Sequence, residues 1–229
     1  MDPWAMTSGV TATSPSVTRA YVGTSGWSYP SWKPGFYPAD AKPAEFLRHY
    51  SERLPTVELN TTGYRLPAEE QFERWAAQTP PGFQFAPKLN AFRSTDVGTF
   101  EERVRRLGDR LGPVRALIGY ARDEGLLSLL LGSFDPDLRV AFDFRHESWE
   151  GIGTELPANA VLVDDLGANA PFRYLRLREP PYDESALRGW ADRLRPLLAE
   201  KVDLYVFFKH EEEPSAPRYA ERLLELFSD

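Results

Sequence analysis

The chain has 229 residues, 42% of them hydrophobic and 13% aromatic, which is ample for one sizeable core. Its formal charge of −7 argues against broad attraction to nucleic acid or to an anionic membrane. The absence of Cys excludes thiol chemistry, zinc–thiolate sites and disulfides, and no apolar run is long enough to cross a bilayer.

Residues 1–19, MDPWAMTSGVTATSPSVTR, have neither a basic n-region nor an apolar h-region, and their Ser, Thr, Pro and Ala content reads as a disordered tail. A cytoplasmic location is the default expectation, with one folded domain over residues 20–229. From residue 20, apolar runs alternate with helical patterns. A first strand is expected at 21–25, followed by the loop GWSYPSWKPGFYP and a helix at 43–54 with Pro in its first turn. A second strand at 56–60 precedes a helix at 67–78, and a third at 83–88 precedes a charged amphipathic helix at 99–112. A fourth strand at 114–120 leads to a buried helix at 124–134. Strands five, six and seven fall at 139–144, 160–165 and 172–178; a long helix at 183–201, strand eight at 203–209 and a helix at 217–227 complete the pattern.

Strands alternating with helices point to βαβ units and a parallel sheet. Eight strands in a chain of this length predict a single α/β domain, a (β/α)8 TIM-type barrel. Two connections are too short for the full pattern. ESWEGIGTELPAN holds at most a turn or two of helix, and LGANAP falls short of the roughly dozen residues of an ordinary parallel crossover. The barrel is therefore expected to be degenerate around strands five to seven, with short or missing helices.

The stretch AFDFRHESW at 141–149 sets four ionisable residues against an apolar strand, an arrangement that is costly unless the charges are paired or serve a site. Period-2 alternation sorts them. With Val140, Phe142 and Phe144 facing helices, Ala141, Asp143 and Arg145 face inward. The same rule turns Glu58 and Asn60 inward on strand two, Gln84, Ala86 and Lys88 on strand three, and Leu162 and Asp164 on strand six. It selects Tyr174, Arg176 and Arg178 on strand seven, and Tyr205, Phe207 and Lys209 on strand eight. Most of the polar members cluster at the C-terminal ends of their strands, where barrel active sites are built. A structural ion cluster linking Asp143, Arg145 and Glu58 is the competing reading. The aromatic residues Trp27, Tyr29, Trp32, Phe36 and Tyr37 follow strand one and either pack under the mouth or form a wall for a ring-shaped ligand. His146 and His210 are equally suited to anchoring loops.

At these positions the sequence resembles the YecE-like proteins, the domain of unknown function numbered 72. The resemblance rests on GTSGWSYPSWKPGFYP, VELNTTGYRLP, FQFAPK, AFDFRHESW, YLRLR and YVFFKHEEE…PRYAERLLEL, and runs from about residue 21 to the C-terminus. It implies a TIM-barrel-like fold and no settled reaction. It carries over the positions Gly23, Ser25, Gly26, Trp27, Tyr29, Trp32, Glu58, Asn60, Tyr64, Arg65, Lys88, Arg145, His146, Ser148 and Trp149. The chain departs from the family pattern at Gly63, at LIGYARDEG with Tyr120, at Arg178-Glu179 and at Lys209-His210-Glu211.

The expected function is that of an enzyme binding an anionic ligand, phosphorylated and sugar- or nucleotide-like, at the C-terminal mouth. Glu58, Asp143 and Asp164 are the candidate general acids and bases. Trp27, Tyr29, Asn60, Tyr64, Lys88, Arg145, His146, Arg176 and Lys209 are the candidate substrate-binding residues, with arginine suited to bidentate recognition of phosphate or carboxylate. No cofactor is implied, since neither GxGxxG nor GxxxxGK[ST] occurs. One alternative is a divalent-metal-dependent hydrolase or isomerase using Glu58, Asp143, Asp164 and His146 or His210 as ligands. Another is a non-catalytic ligand- or nucleic-acid-binding module, against which the acidic composition argues for extended nucleic acid.

Overall fold

The structure, a computed structural model, describes residues 20–90, 97–209 and 212–228; the expected tail at 1–19 and His210 lie outside them. Eight strands form one parallel sheet: β1 (Ala20–Thr24), β2 (Thr56–Leu59), β3 (Gln84–Asn90), β4 (Val114–Ile118), β5 (Val140–Phe144), β6 (Ala160–Leu162), β7 (Phe172–Leu177) and β8 (Asp203–Phe208). Their order, β6-β5-β4-β3-β2-β1-β8-β7, is that of a nearly closed TIM-type barrel. Helices α1 (Phe46–Ser51), α2 (Glu69–Ala77), α3 (Val97–Val104) and α4 (Glu124–Ser133) follow β1 to β4, while α5 (Glu184–Ala199) and α6 (Ser215–Ser228) follow β7 and β8.

The degenerate side lies where the short connections require it. After β5 come only the 3-10 turns Glu147–Trp149 and Ile152–Glu155, and no α-helix separates β6 from β7. The backbone of the latter connection is satisfied differently. Arg173 on β7, only 5% exposed, donates to the carbonyls of Leu166 and Ala170 at 3.0 and 2.8 Å. The two end strands are stitched at Asp164, whose N–H donates to Tyr174 O at 2.9 Å and whose Oδ1 accepts from Arg176 N at 2.7 Å. Asp164 sits at φ 68°, the left-handed region that Asp tolerates better than most residues, so strand six ends before it rather than running to 165.

Apolar residues of alternate parity form two cores. The larger one, between sheet and helices, includes Val22, Val57, Val114, Val140, Phe142, Val206 and Phe208 with the inner faces of α1 to α6. The smaller one fills the barrel with Tyr21, Ala86, Ala141, Val161, Phe172, Tyr174, Tyr205 and Phe207. Tyr21 stacks on Tyr205 at 4.7 Å between ring centroids, and Phe172 meets Tyr205 edge-on at 6.4 Å.

Two further expectations are corrected. The helix expected over 99–112 ends at Val104, and a 3-10 stretch, Arg105–Arg110, continues it to a break at Gly108 (φ 59°, ψ −131°). Such a conformation is open to glycine and closed to most other residues. Strand six has the opposite parity: Val161 belongs to the barrel interior, with Val163 packed against it, whereas Leu162 packs against the helix-side core.

Candidate functional site

The upper half of the barrel interior is polar. Glu58, fully buried, is held on both oxygens: Oε2 accepts from the Tyr174 hydroxyl at 2.7 Å, and Oε1 lies 3.0 Å from Arg176 Nη2 and 3.4 Å from Arg115 Nη1. Burial, and then the charge of Glu58, raise the Tyr174 pKa well above the usual phenol value, so the ring remains a donor to that carboxylate. Asp143 Oδ2 accepts from Arg115 Nε at 2.8 Å and Nη2 at 2.5 Å, and from Arg145 Nη2 at 2.7 Å. Arg115, with 2% exposure, thus bridges the two carboxylates from β4.

Arg115 was absent from the candidates read off the sequence, although the same alternation that selects its neighbours also selects it. It stands between Val114 and Ala116, both in the helix-side core, and pairs in register with Lys88 on β3 and Ala141 on β5.

Lys88 is 6% exposed, and among the described residues no carboxylate lies within ion-pair distance of its Nζ. That ammonium sits 4.7 Å from the centroid of Tyr64, a ring itself 79% exposed. Its stem runs over Gly63, where a Cβ would come within 2.9 Å of Lys88 Cδ. A larger residue at Gly63 would therefore require the Lys88 side chain to shift. Burial, and after it the charge of Arg115, hold the Lys88 ammonium below the usual lysine value, with Glu58 acting in the opposite sense. Nearby, Arg176 Nε is buried without a hydrogen-bond partner among the described residues.

The remaining candidates divide. Trp27 and Tyr29 are half-buried and line a groove of about 480 Å³ together with Glu58, Asn60, Gln71 and Trp75. Trp27 meets Trp75 edge-on at 5.5 Å, while the Tyr29 hydroxyl donates to Ser25 O at 2.8 Å. Burial and the charge of Glu58 push that hydroxyl up to about 12. Asn60 Nδ2 donates to the same carbonyl at 3.4 Å. Trp32, Phe36 and Tyr37 are buried in the helix-side core, with Tyr37 stacked on Phe46 at 4.4 Å, so they support the loop rather than face the groove.

Arg145 is 42% exposed at its side chain and fronts a depression of about 390 Å³ that also contains Asp143 and His146. His146 is exposed and caps the following 3-10 turn, its Nδ1 accepting from Ser148 N at 3.2 Å. Asp164 pairs with Arg178 at the seam between β6 and β7; burial raises its carboxyl pKa, offset first by the hydrogen bond from Arg176 N. Lys209 is exposed just beyond β8, its N–H donating to Leu177 O at 2.9 Å. Among the described residues, no group of three or more His, Cys, Asp and Glu converges as a metal site would require, and the oxygens of Glu58 are taken by guanidinium and phenol groups.

The fold and these motifs have known relatives. Two solved DUF72 family proteins superpose on the chain. That from Thermotoga maritima has a TM-score of 0.72 at 22% identity, covering 92% of this chain and 99% of the other. That from Enterococcus faecalis has a TM-score of 0.71 at 16% identity, covering 81% and 94%. Among curated proteins, the UPF0759 protein YecE of Escherichia coli is 32% identical over 148 residues, 59% of this chain and 52% of that protein. The match thus spans about half the length of that relative. Residues 21–229 match the family described as "Protein of unknown function DUF72", and the chain belongs to that family.

Proposed function

We propose that the barrel mouth binds a small anionic ligand and carries out a reaction on it. The observation that supports this most is an imbalance of charge. Lys88, Arg115, Arg145 and Arg176 are gathered around two carboxylates, Glu58 and Asp143. A self-contained structural cluster would match its charges, whereas excess cation in a largely desolvated site favours an incoming anion. Arg176 Nε adds a buried donor with no hydrogen-bond partner among the described residues. Trp27 and Tyr29 supply a half-buried aromatic side to the adjoining groove, which suits a sugar- or nucleotide-like ring.

In this reading Glu58 and Asp143 act first as orienting anions. They fix Arg115 and Arg176 beneath the ligand, and Arg145 closes on its charged group from the rim. Arginine is suited to this because its planar fork meets phosphate or carboxylate oxygens in pairs.

The test is the melting temperature of the purified protein with inorganic phosphate and phosphorylated metabolites, and separately with divalent metals. A ligand that binds the native state raises it by mass action. A rise with a phosphorylated compound that is lost in Arg145→Ala is the expected result. A rise with Mn²⁺ or Zn²⁺ alone, lost in Glu58→Gln, would replace this reading with a metal-dependent hydrolase or isomerase. No response to either panel would contradict a small-ligand site.

A further inference from the structure

Lys88 differs from the other cations of the mouth. Arg115, Arg145 and Arg176 each contact a carboxylate, but Lys88 Nζ has no such contact among the described residues. Its cover is the ring of Tyr64, which is 79% exposed and can swing into solvent. The groups around it are Glu58 on β2, Arg115 on β4, Asp143 on β5 and Arg176 on β7, with Tyr64 above. A buried amine beside two guanidinium groups gives up its proton more readily than a free lysine, and the deprotonated amine is a nucleophile.

We propose that Lys88 is the covalent nucleophile of this site, forming a Schiff base with an aldehyde or ketone whose anionic group is held by Arg145 and Arg176. This rests on the anion-site reading above and names the substrate class as a carbonyl compound bearing a phosphate or carboxylate. The lone pair of the neutral amine attacks the carbonyl carbon, forming a C–N bond as the C=O π pair moves to oxygen. That oxygen takes up a proton and the nitrogen gives one up, leaving a carbinolamine. Loss of the hydroxyl group with a further proton, as water, then forms the C=N bond. The sum is amine plus carbonyl giving imine plus water, with no oxidation or reduction. Tyr64 moves aside to admit the carbonyl, and the short reach across Gly63 keeps the amine beneath it.

The chain is well suited to a direct test because it holds five lysines, at 33, 42, 88, 201 and 209. The full-length protein is incubated at neutral and at mildly alkaline pH with glyoxylate, pyruvate or glyceraldehyde 3-phosphate in the presence of cyanoborohydride. Hydride reduces any imine to a stable secondary amine, and peptide mass mapping locates it. The expected result is one saturable adduct with at least one of these probes, on Lys88, competed by inorganic phosphate. It is lost in Lys88→Arg and slowed at least tenfold in Arg145→Ala, and it persists in Lys201→Met, a change at an exposed lysine outside the site.

Adducts spread evenly over the five lysines, or one confined to exposed Lys209, would overturn the proposal. So would the absence of any Lys88 adduct while phosphate still raises the melting temperature, an outcome that leaves the anion site standing. Failure of phosphate to bind the folded protein at all would remove the anion site and the proposal with it. Because mapping uses the wild-type chain, the result does not depend on a variant folding.

Discussion

The two halves of the barrel interior are built from the same strands and do opposite things. Below, Tyr21, Phe172, Tyr205 and Phe207 fill the space with stacked and edge-on rings, next to Ala86, Ala141 and Val161. Above, the next inward positions of the same strands carry Lys88, Asp143 and Arg176, joined by Glu58 and Arg115. The lower half buries apolar area, which is favourable without direction. The upper half removes ions from water, which is favourable only when each finds a partner. Tyr174 is where the two meet: its ring tilts against Phe207 at 5.0 Å and its hydroxyl donates to Glu58. A fold needs the first half; the second, with more cation than anion, is the part that the proposed anion site would use.

The comparison can be broken from either side. Phe172→Ala below and Glu58→Ala above should each destabilise the fold by about 3–5 kcal/mol in urea denaturation, the first through a cavity and the second through guanidinium groups left buried and unpaired. They should differ in binding: Phe172→Ala keeps phosphate affinity per folded molecule, and Glu58→Ala loses it as Arg115 and Arg176 lose their anchor. Equal loss in both would mean that the halves are not separable.

Lys88→Met sharpens the contrast with the sign reversed. The native Lys88 pKa is lowered by burial, while an unfolded chain titrates near the usual value of about 10.4. Between the two values the unfolded chain binds more protons, so wild-type stability from this group rises with pH. Below the native pKa the full cost of the buried ammonium is present. Lys88→Met should therefore be more stable than wild type below the native Lys88 pKa, with the gap closing as pH approaches about 10. Urea midpoints across that range would show it, and a constant gap would exclude Lys88 as the cause.

Smaller effects are expected at the rim. Arg145→Ala should change stability by at most about 1 kcal/mol, because its pair with Asp143 is partly exposed, yet weaken phosphate binding at least tenfold. Tyr64→Ala removes a ring contact worth about 0.5–1 kcal/mol at an exposed site and should leave phosphate affinity within twofold, as read by calorimetry.

Most of this arrangement was legible in the sequence, since alternation is strong where one face is apolar and the other charged. Val57 and Leu59 flanking Glu58, and Leu175 and Leu177 flanking Arg176, leave one assignment open, and the structure has it. The same signal was present at Arg115 between Val114 and Ala116, a residue that reads as an ordinary strand charge until its reach to Asp143 and Glu58 is seen. Strand six gave no such signal. Val161, Leu162 and Val163 are all apolar, so parity is undetermined, and three residues are too few to average over. The break at Gly108 was hidden because an isolated glycine is compatible with a helical pattern. Tyr64 and Lys88 could not be joined by any periodic rule, because one lies beyond the 3-10 turn Asn60–Gly63 and the other on β3.

The central claim is that the upper half of the barrel is an anion site and not a self-sufficient ion cluster. Isothermal calorimetry of inorganic phosphate into the wild-type protein and into Arg145→Ala, at the same low ionic strength, addresses it most directly. The account predicts one saturable site per chain in the wild type, weakened at least tenfold in an Arg145→Ala protein that melts normally. A folded wild-type protein that takes up no phosphate, or an Arg145→Ala protein that binds it equally well, would contradict it.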